Sequence, residues 1–415
     1  MDRRTLLKRG GLGALSLALG GCATGSGRTA QSLSLAPVRV SWDRIIRTTV
    51  GLRPHRPAGF VLGAGRLDGK TLVHNYGHGG AGMSLSWGTG YMAAEMATEQ
   101  EGRRAAVIGC GVAGLTTAKQ LQRRGFDVTI YAMSVPPNTT SNMSLASFTP
   151  TSGLYAAEER TPAWDRQFRR AVDIAYKQLQ LLVGPKYGIS WINNYSMMNE
   201  APGNLATRER DEREPALPAL MPPGLRIGQT VLGPGEHPFP SRYAAYRPTM
   251  RFEPSIYLDA LVTDFLLFGG NIVIRKFDTP RDLMALDEPV IVNCTGLGSY
   301  DLIRDHDLTP LKGQLTVLVP QPEVEYNTGG GIPGSTRGGF IHMQPRSDGI
   351  ILGGTSQAGE WSLEPDEEAL KRVVESHMEM FGAMRRPQGG MRIATSGPPS
   401  TVPPVESFFG PDFAL

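Results

Sequence analysis

The run AAVIGCGVAGLTTAKQLQRRGFDVTIYA, residues 105–132, constrains the fold of this 415-residue chain more than any other stretch. It opens as an apolar strand, places glycines at 109, 111 and 114, continues as an amphipathic helix with basic residues in its last turn, and resumes as a strand after Gly125. In a G-x-G-x-x-G loop the first glycine permits the tight turn, the second lets the backbone approach a pyrophosphate, and the third packs helix on strand. The positive end of the helix, with Val112 and Ala113 in its first turn, then faces the phosphates. Gly109, Gly111 and Gly114 have the strand, turn, helix and strand context that such a loop requires, so dinucleotide binding is expected here. The expected fold class is α/β, a Rossmann-like nucleotide-binding domain with a second, mixed-sheet domain. The acidic residue that ordinarily follows the second strand to hold ribose hydroxyls is absent; Tyr131, Ala132 and Met133 stand there instead, leaving ribose recognition to backbone or to other polar groups.

Other elements follow from periodicity. A short strand is expected at Thr71–His74, a helix in GTGYMAAEMATEQEG, another in WDRQFRRAVDIAYKQLQLLVG, and a strand in YGISWINN. RFEPSIYLDALVTDFLLFGGNIVIRKF reads as a helix, a glycine stop and a strand, and EPVIVNCTG as a buried strand running into a turn. GQLTVLVP is a strand, and GGFIHMQPRSDGIILGG folds back over Ser347, Asp348 and Gly349 as a hairpin. EPDEEALKRVVESHMEMFGAM is a helix with Pro365 in its first turn and acid near its start. DEREPALPALMPPG reads as an irregular surface excursion, and the Pro/Gly-rich end of the chain as a surface wrap.

Forty-two basic and 39 acidic residues leave a net charge of only +3, and no basic run interleaves with aromatics, so no nucleic-acid partner is expected. The seven histidines show no HExxH-like spacing, and of the three cysteines Cys110 and Cys294 read as buried fillers; neither a metal nor a disulfide framework is expected. Arg3 and Arg4 precede a weakly apolar run from Gly10 to Gly21, too short for the roughly 20 residues of a membrane span. This reads as a twin-arginine export signal over 1–22. Leu19-Gly20-Gly21-Cys22 resembles a lipobox, which would make Cys22 a lipid-bearing membrane tether and the protein periplasmic or membrane-anchored, with 23–37 as a flexible linker. A plain signal cleaved nearby is the alternative.

Several separated segments together resemble the D-amino-acid oxidase family of flavoproteins. GLRPHRP (51–57) resembles that family's GFRPxRP, HNYGHGGAG (74–82) its HNYGHGGYG, and GGTSQAGEWS its GG-x-x-Q-x-G-x-W; TIYAMSVPPNTTS, RFEPSIYLDAL and VIVNCTG have counterparts as well. In that family, however, the first two segments close the chain, whereas here they precede the glycine loop. The resemblance therefore implies a circular permutation, with the usual tail joined to the usual first strand near Gln100-Glu101-Gly102. The implied division is a nucleotide-binding domain over 38–150 including the displaced 38–99, a mainly substrate-binding 151–286, a return to the first domain at 287–312, substrate domain and return helix at 313–385, and a surface tail at 386–415.

By the same resemblance the cofactor is FAD, the substrate an amino acid or amine, and the chemistry hydride transfer from the substrate Cα–H to flavin N5. The resulting imine hydrolyses to an oxo acid and ammonia, with oxygen or an electron carrier as acceptor. Arg53 matches the arginine that pairs with the substrate carboxylate, while Arg56 is expected to brace the loop. Gly79, Gly80, Gly82, Met83 and Ser84 match the segment that opens a helix against the flavin ring, and His74 and His78 read as structural hydrogen-bonding groups. Thr139, Thr140, Ser141, Ala146, Ser147, Thr295 and Gly296 complete the cofactor residues. Where the family has a carboxylate-bonding tyrosine, alignment on Gly353-Gly354 gives Phe340, able to cover substrate, with His342 two residues on. Two alternatives to an oxidase stand beside it: a membrane-tethered dehydrogenase passing electrons to a quinone or other carrier, and a non-catalytic flavin-binding lipoprotein.

Overall fold

The computed structural model describes residues 33–99, 102–154, 159–200, 220–221, 228–335 and 339–386. The signal at 1–22, most of the linker, most of the excursion at DEREPALPALMPPG and nearly all of the tail lie outside these residues. The fold is α/β and is built on two sheets. The larger contains β1 (Ile45–His55), β6 (Ile189–Met198), β7 (Thr230–Leu232), β8 (Tyr243–Phe252), β11 (Thr309–Leu318), β12 (Tyr326–Gly329), β13 (His342–Arg346), β14 (Gly349–Gly353) and β15 (Gln357–Ala358). Its order is β1-β11-β14-β13-β12-β6-β8-β7, with β15 on β11, and its pairs are antiparallel except β12 with β6. The smaller holds β2 (Val61–Leu67), β3 (Lys70–Tyr76), β4 (Arg104–Ile108), β5 (Asp127–Ala132), β9 (Asn271–Ile274) and β10 (Val290–Asn293), in the order β2-β3-β10-β4-β5-β9. Only β2 runs antiparallel in it.

Helix α1 (Gly82–Thr98) starts earlier than its apolar periodicity suggests, inside the glycine-rich stretch itself. Its sequence is apolar on every side because it is buried on every side. α2 (Val112–Gln122) flanks it on one side and α3 (Pro162–Leu181) on the other. Two glycines allow this. A Cβ on Gly88 would lie 1.8 Å from the carbonyl oxygen of Ala171 in α3, and one on Gly90 3.0 Å from the amide of Thr117 in α2. α3 is amphipathic, burying Trp164, Phe168, Ala171, Val172, Ala175 and Leu179, and Thr161 caps it by accepting from the Trp164 amide. α4 (Pro254–Leu267) stops at Gly269, whose φ is +81°, and feeds β9. Short helices α5 (Pro280–Met284) and α6 (Ser299–Leu302) flank β10, and α7 (Glu367–Gly382) covers the larger sheet beside β14 and β11. Pro365 falls just outside α7 rather than in its first turn, because Asp366 takes the cap position and accepts from the Ala369 amide.

The structure divides the chain more finely than the expected domain boundaries. β1 leaves the 38–150 unit to pair with β11 along Ile45–His55, while α3, α4 and β9 from 151–286 pack on the nucleotide-binding sheet. The physical reason is that α1 is apolar all round and needs α3 to cover the flank that α2 leaves open. Replacing Gly88 by Ala should therefore lower the unfolding free energy by roughly 1–3 kcal/mol through overpacking, read as a lower urea midpoint. An unchanged midpoint would mean that α1 and α3 are not in this contact.

Candidate functional site

A cavity of about 1220 Å³ is lined by residues from both sheets. On the nucleotide-binding side it takes in Gly109, Ala132 and Thr295, at or just beyond the carboxyl ends of β4, β5 and β10, where an open α/β sheet binds its ligand. Gly109 sits at φ +112°, and a Cβ there would be 2.6 Å from the Cys294 carbonyl oxygen; a Cβ on Gly114 would be 1.9 Å from that of Gly109. Neither position admits a side chain. Gly111 caps α2 without a side chain, so the helix opens bare onto the cavity between Val112 and Ala113, its Val112 amide donating to Ser141 Oγ at 3.0 Å. Gly114 itself does not line the cavity; its role is to bring helix against loop.

Thr139, Thr140 and Ser141 line the same region. Ala146 is held in the left-handed region at φ +64°, its carbonyl accepting from the Phe252 amide at 2.8 Å and from Gln344 Nε2 at 3.3 Å. Ser147 beside it donates to Gln344 Oε1. The cavity wall at 144–149 is thus pinned to β8 and β13. Thr295 donates to Asn293 Oδ1 at 2.8 Å, and Gly296 turns the chain at φ +59°.

The segment ahead of the glycine loop reaches the cavity from β3. Gly79, at φ +51°, would place a Cβ 1.7 Å from the Gly153 carbonyl oxygen. Its amide donates to the Pro54 carbonyl at 2.8 Å, and that of Gly80 to the Ser152 carbonyl at 2.9 Å. The turn carries Gly79, Gly80, Gly82 and Met83 to the cavity wall and sets the N-terminus of α1 there, with no side-chain cap from Ala81. Ser84 lies just behind, accepting from the Thr149 amide at 2.8 Å. His78 is buried, hydrogen-bonded to Thr89 Oγ1 at 3.0 Å, and burial pushes it down to about 4. His74 meets Asn293 at 3.4 Å and is lowered by burial. Both are neutral hydrogen-bonding groups of the frame.

Arg53, on β1, is one of the cations of the cavity wall. Its Nε donates to the Leu311 carbonyl at 3.1 Å and Nη2 to that of Thr355 at 3.2 Å, which orients the guanidinium without neutralising it. No carboxylate pairs with it among the described residues, and burial alone depresses its pKa. A desolvated, unneutralised guanidinium is a strong anion receptor. Arg56, by contrast, is spent on Asp305 at 3.0 Å and Asp307 at 2.8 Å, and Asp305 also accepts from Tyr76 at 2.7 Å. Phe340 lines the cavity and is 63% exposed. His342 points its ring over Gly353, where a Cβ would be 2.1 Å from Cε1; burial pushes it down to about 3, and its buried Nδ1 has no partner. The neutral ring cannot serve as an acid near neutral pH.

Other wall residues carry no motif. Asn194 and Ser196 of β6, Arg247 and Thr249 of β8, Gln314 of β11 and Asn327 of β12 all line the cavity from the larger sheet. Their only sequence signal is polar residues at alternate strand positions, which an ordinary solvent-facing strand shows too. Where the ribose acid is missing, Met133 is 70% exposed at the wall, and Arg275, Lys276 and Asp278 beyond β9 join it. Tyr131 also lines the wall, its hydroxyl donating to Glu288 at 3.1 Å. The bare α2 end, the glycines that exclude any Cβ and the size of the cavity fit an elongated dinucleotide.

Sequence comparisons with known proteins agree with that fit. A D-amino-acid oxidase of Rubrobacter xylanophilus is 30% identical over 280 residues, 65% of this chain and 75% of that protein. One of Streptomyces coelicolor is 29% identical, over 73% and 83%. Among solved structures, glycine oxidase from Bacillus cereus superposes with a TM-score of 0.48 at 15% identity, over 68% of this chain and 79% of that one. The family model described as DAO, FAD dependent oxidoreductase, matches residues 104–408, and the chain belongs to that family.

Proposed function

We propose that the protein oxidises the carbon–nitrogen bond of a carboxylate-bearing amino acid or amine and passes the electrons to molecular oxygen. The observation that carries this reading is Arg53, a half-buried guanidinium on the cavity wall with no carboxylate partner among the described residues. The names of the relatives supply the substrate class. Bound FAD supplies the two-electron acceptor. The residues that would hold it are the glycine loop and α2 end at 109–114, Thr139–Ser141, Ala146 and Ser147, the α1 end at 79–84, and Thr295 and Gly296. Arg53 clamps the substrate carboxylate, the exposed face of Phe340 covers it, and His342 walls the site as a neutral ring. The positive end of α1 favours negative charge where it meets the cavity. In balance, the substrate CH–NH2 loses two electrons and two protons to give an imine. Water then releases ammonia and an oxo acid, and oxygen leaves as hydrogen peroxide.

The same reading treats the chain as circularly permuted. In its support, the family match begins at residue 104, after the HNYGHGG segment, yet β3 pairs parallel with β10, and β10 with β4. The described ends also meet: the Leu33 amide donates to the Glu236 carbonyl at 2.9 Å and the Arg385 amide to that of Pro238 at 2.8 Å. Residues 1–22 are read as a twin-arginine signal ending at a lipid-bearing Cys22, which would leave the protein tethered outside the cytoplasmic membrane.

Three outcomes follow. Arg53→Ala should keep its flavin absorbance but lose roughly a hundredfold or more in kcat/KM for a D-amino-acid or N-methylglycine substrate, measured by peroxide release. Activity equal to the parent's would remove Arg53 from the site, and rapid dye reduction without oxygen uptake would place the protein among the dehydrogenases. A chain cut at 100–101 and joined from Arg386 to Leu33 should fold with the parent's flavin spectrum; a flavin-free aggregate would count against permutation. Mass spectrometry of membrane-extracted protein should find a diacylglyceryl group on Cys22 that Cys22→Ser abolishes, and an unmodified thiol there would end the tether reading.

A further inference from the structure

The C-terminal ends of α3 and α4, remote from the cavity, hold large apolar side chains in solvent. Leu181 is 80% exposed, Leu267 79% and Phe268 75%, with Leu266 and Val183 exposed beside them. Hydrogen bonds make the two ends neighbours across α2. Arg123 Nη1, at the end of α2, donates to Gln178 Oε1 of α3 at 2.9 Å, and Gln122 Nε2 donates to the Phe265 carbonyl of α4 at 2.9 Å. Lys119 Nζ lies 4.8 Å from the centre of the Phe268 ring. Asp264, one turn before Phe268, accepts Lys186 from the loop after Val183 at 2.9 Å and faces Lys119 at 3.6 Å. Single exposed leucines need no explanation, but a cluster on adjoining tips does.

The cluster is set in positive charge. Arg123, Lys177 and Lys186 are exposed around it and Arg124 is half-buried, while Lys119 is buried against Asp264 and Lys177 pairs with Asp173 at 2.7 Å, which leaves a basic excess. It also occupies a defined edge of the fold. β4, β5 and β9 run parallel and begin at Arg104, Asp127 and Asn271, the last only three residues after Phe268, whereas the cavity takes in the residues that follow their other ends. No helix among the described residues is long and apolar enough to cross a membrane.

We propose that this tip docks into the surface of an anionic lipid bilayer, with Leu181, Leu267 and Phe268 entering the boundary between headgroups and acyl chains and the basic collar meeting the headgroups. Apolar side chains ringed by lysine and arginine are the chemistry of interfacial attachment. A second copy of the chain fits less well, since a twofold contact would press one basic collar against another. Docking by this edge leaves the cavity at the far edge of the sheet, open to soluble substrate. It requires no lipid on Cys22, and the test separates the two.

The test is hydrogen–deuterium exchange on the full-length, flavin-loaded protein with phosphatidylcholine vesicles, with and without phosphatidylglycerol. Amides of 181–187 and 264–270 should exchange about tenfold more slowly with the anionic vesicles at low salt, and the protection should shrink as salt is raised. The double change Leu267→Ser with Phe268→Ser, and separately Leu181→Ser, should abolish it while flavin absorbance stays unchanged. Vesicle association without protection of these segments would overturn the proposal in favour of a tether alone. Protection without vesicles that grows with protein concentration would overturn it in favour of self-association.

Discussion

The structure turns on a backbone clasp in which the Gly79 and Gly80 amides donate to the carbonyls of Pro54 and Ser152. Pro54 belongs to the larger sheet and the HNYGHGG turn leads out of the smaller one, so the Gly79–Pro54 bond sits where the two sheets meet. The Gly79 Cα lies so near the Gly153 carbonyl that no Cβ could be accommodated, and its φ of +51° adds a second reason for glycine. From the clasp α1 departs with its positive end on the cavity, and Arg53 is held one residue before Pro54. Cofactor wall and substrate anchor are thereby fixed by one short stretch of backbone.

Burial then decides what each polar group can do. Arg56 and Arg53 stand three residues apart on the same segment, yet Arg56 is consumed by Asp305 and Asp307 while Arg53, among the described residues, bonds to carbonyl oxygens. A guanidinium bonded to carbonyls keeps its charge and its appetite for an anion. His78 and His342, by the same desolvation, are kept neutral and become walls rather than proton carriers. The chemistry available to the cavity is binding and orientation, which suits a family whose electron acceptor is a cofactor.

The order of elements is compatible with this site because the contacts that form it are spatial. β10, from late in the chain, lies between β3 and β4, and the ends of the described chain both bond to the 236–238 segment.

Sequence alone was enough for the β4–α2–β5 unit, since three glycines and a switch from strand to helix periodicity leave little choice of local structure. It also pointed to Arg53 and the 79–83 turn, through the resemblance of GLRPHRP and HNYGHGGAG to segments of the family. It could not reveal Asn194, Arg247, Gln314, Gln344 or Asn327, because polar residues at alternate strand positions look the same whether they face solvent or a cavity. Nor could it show that β1 would join the larger sheet, that Arg56 rather than Arg53 would find carboxylates, or that Leu181 and Phe268 would share one surface. Those outcomes depend on which distant segments meet, and only the tertiary structure decides that.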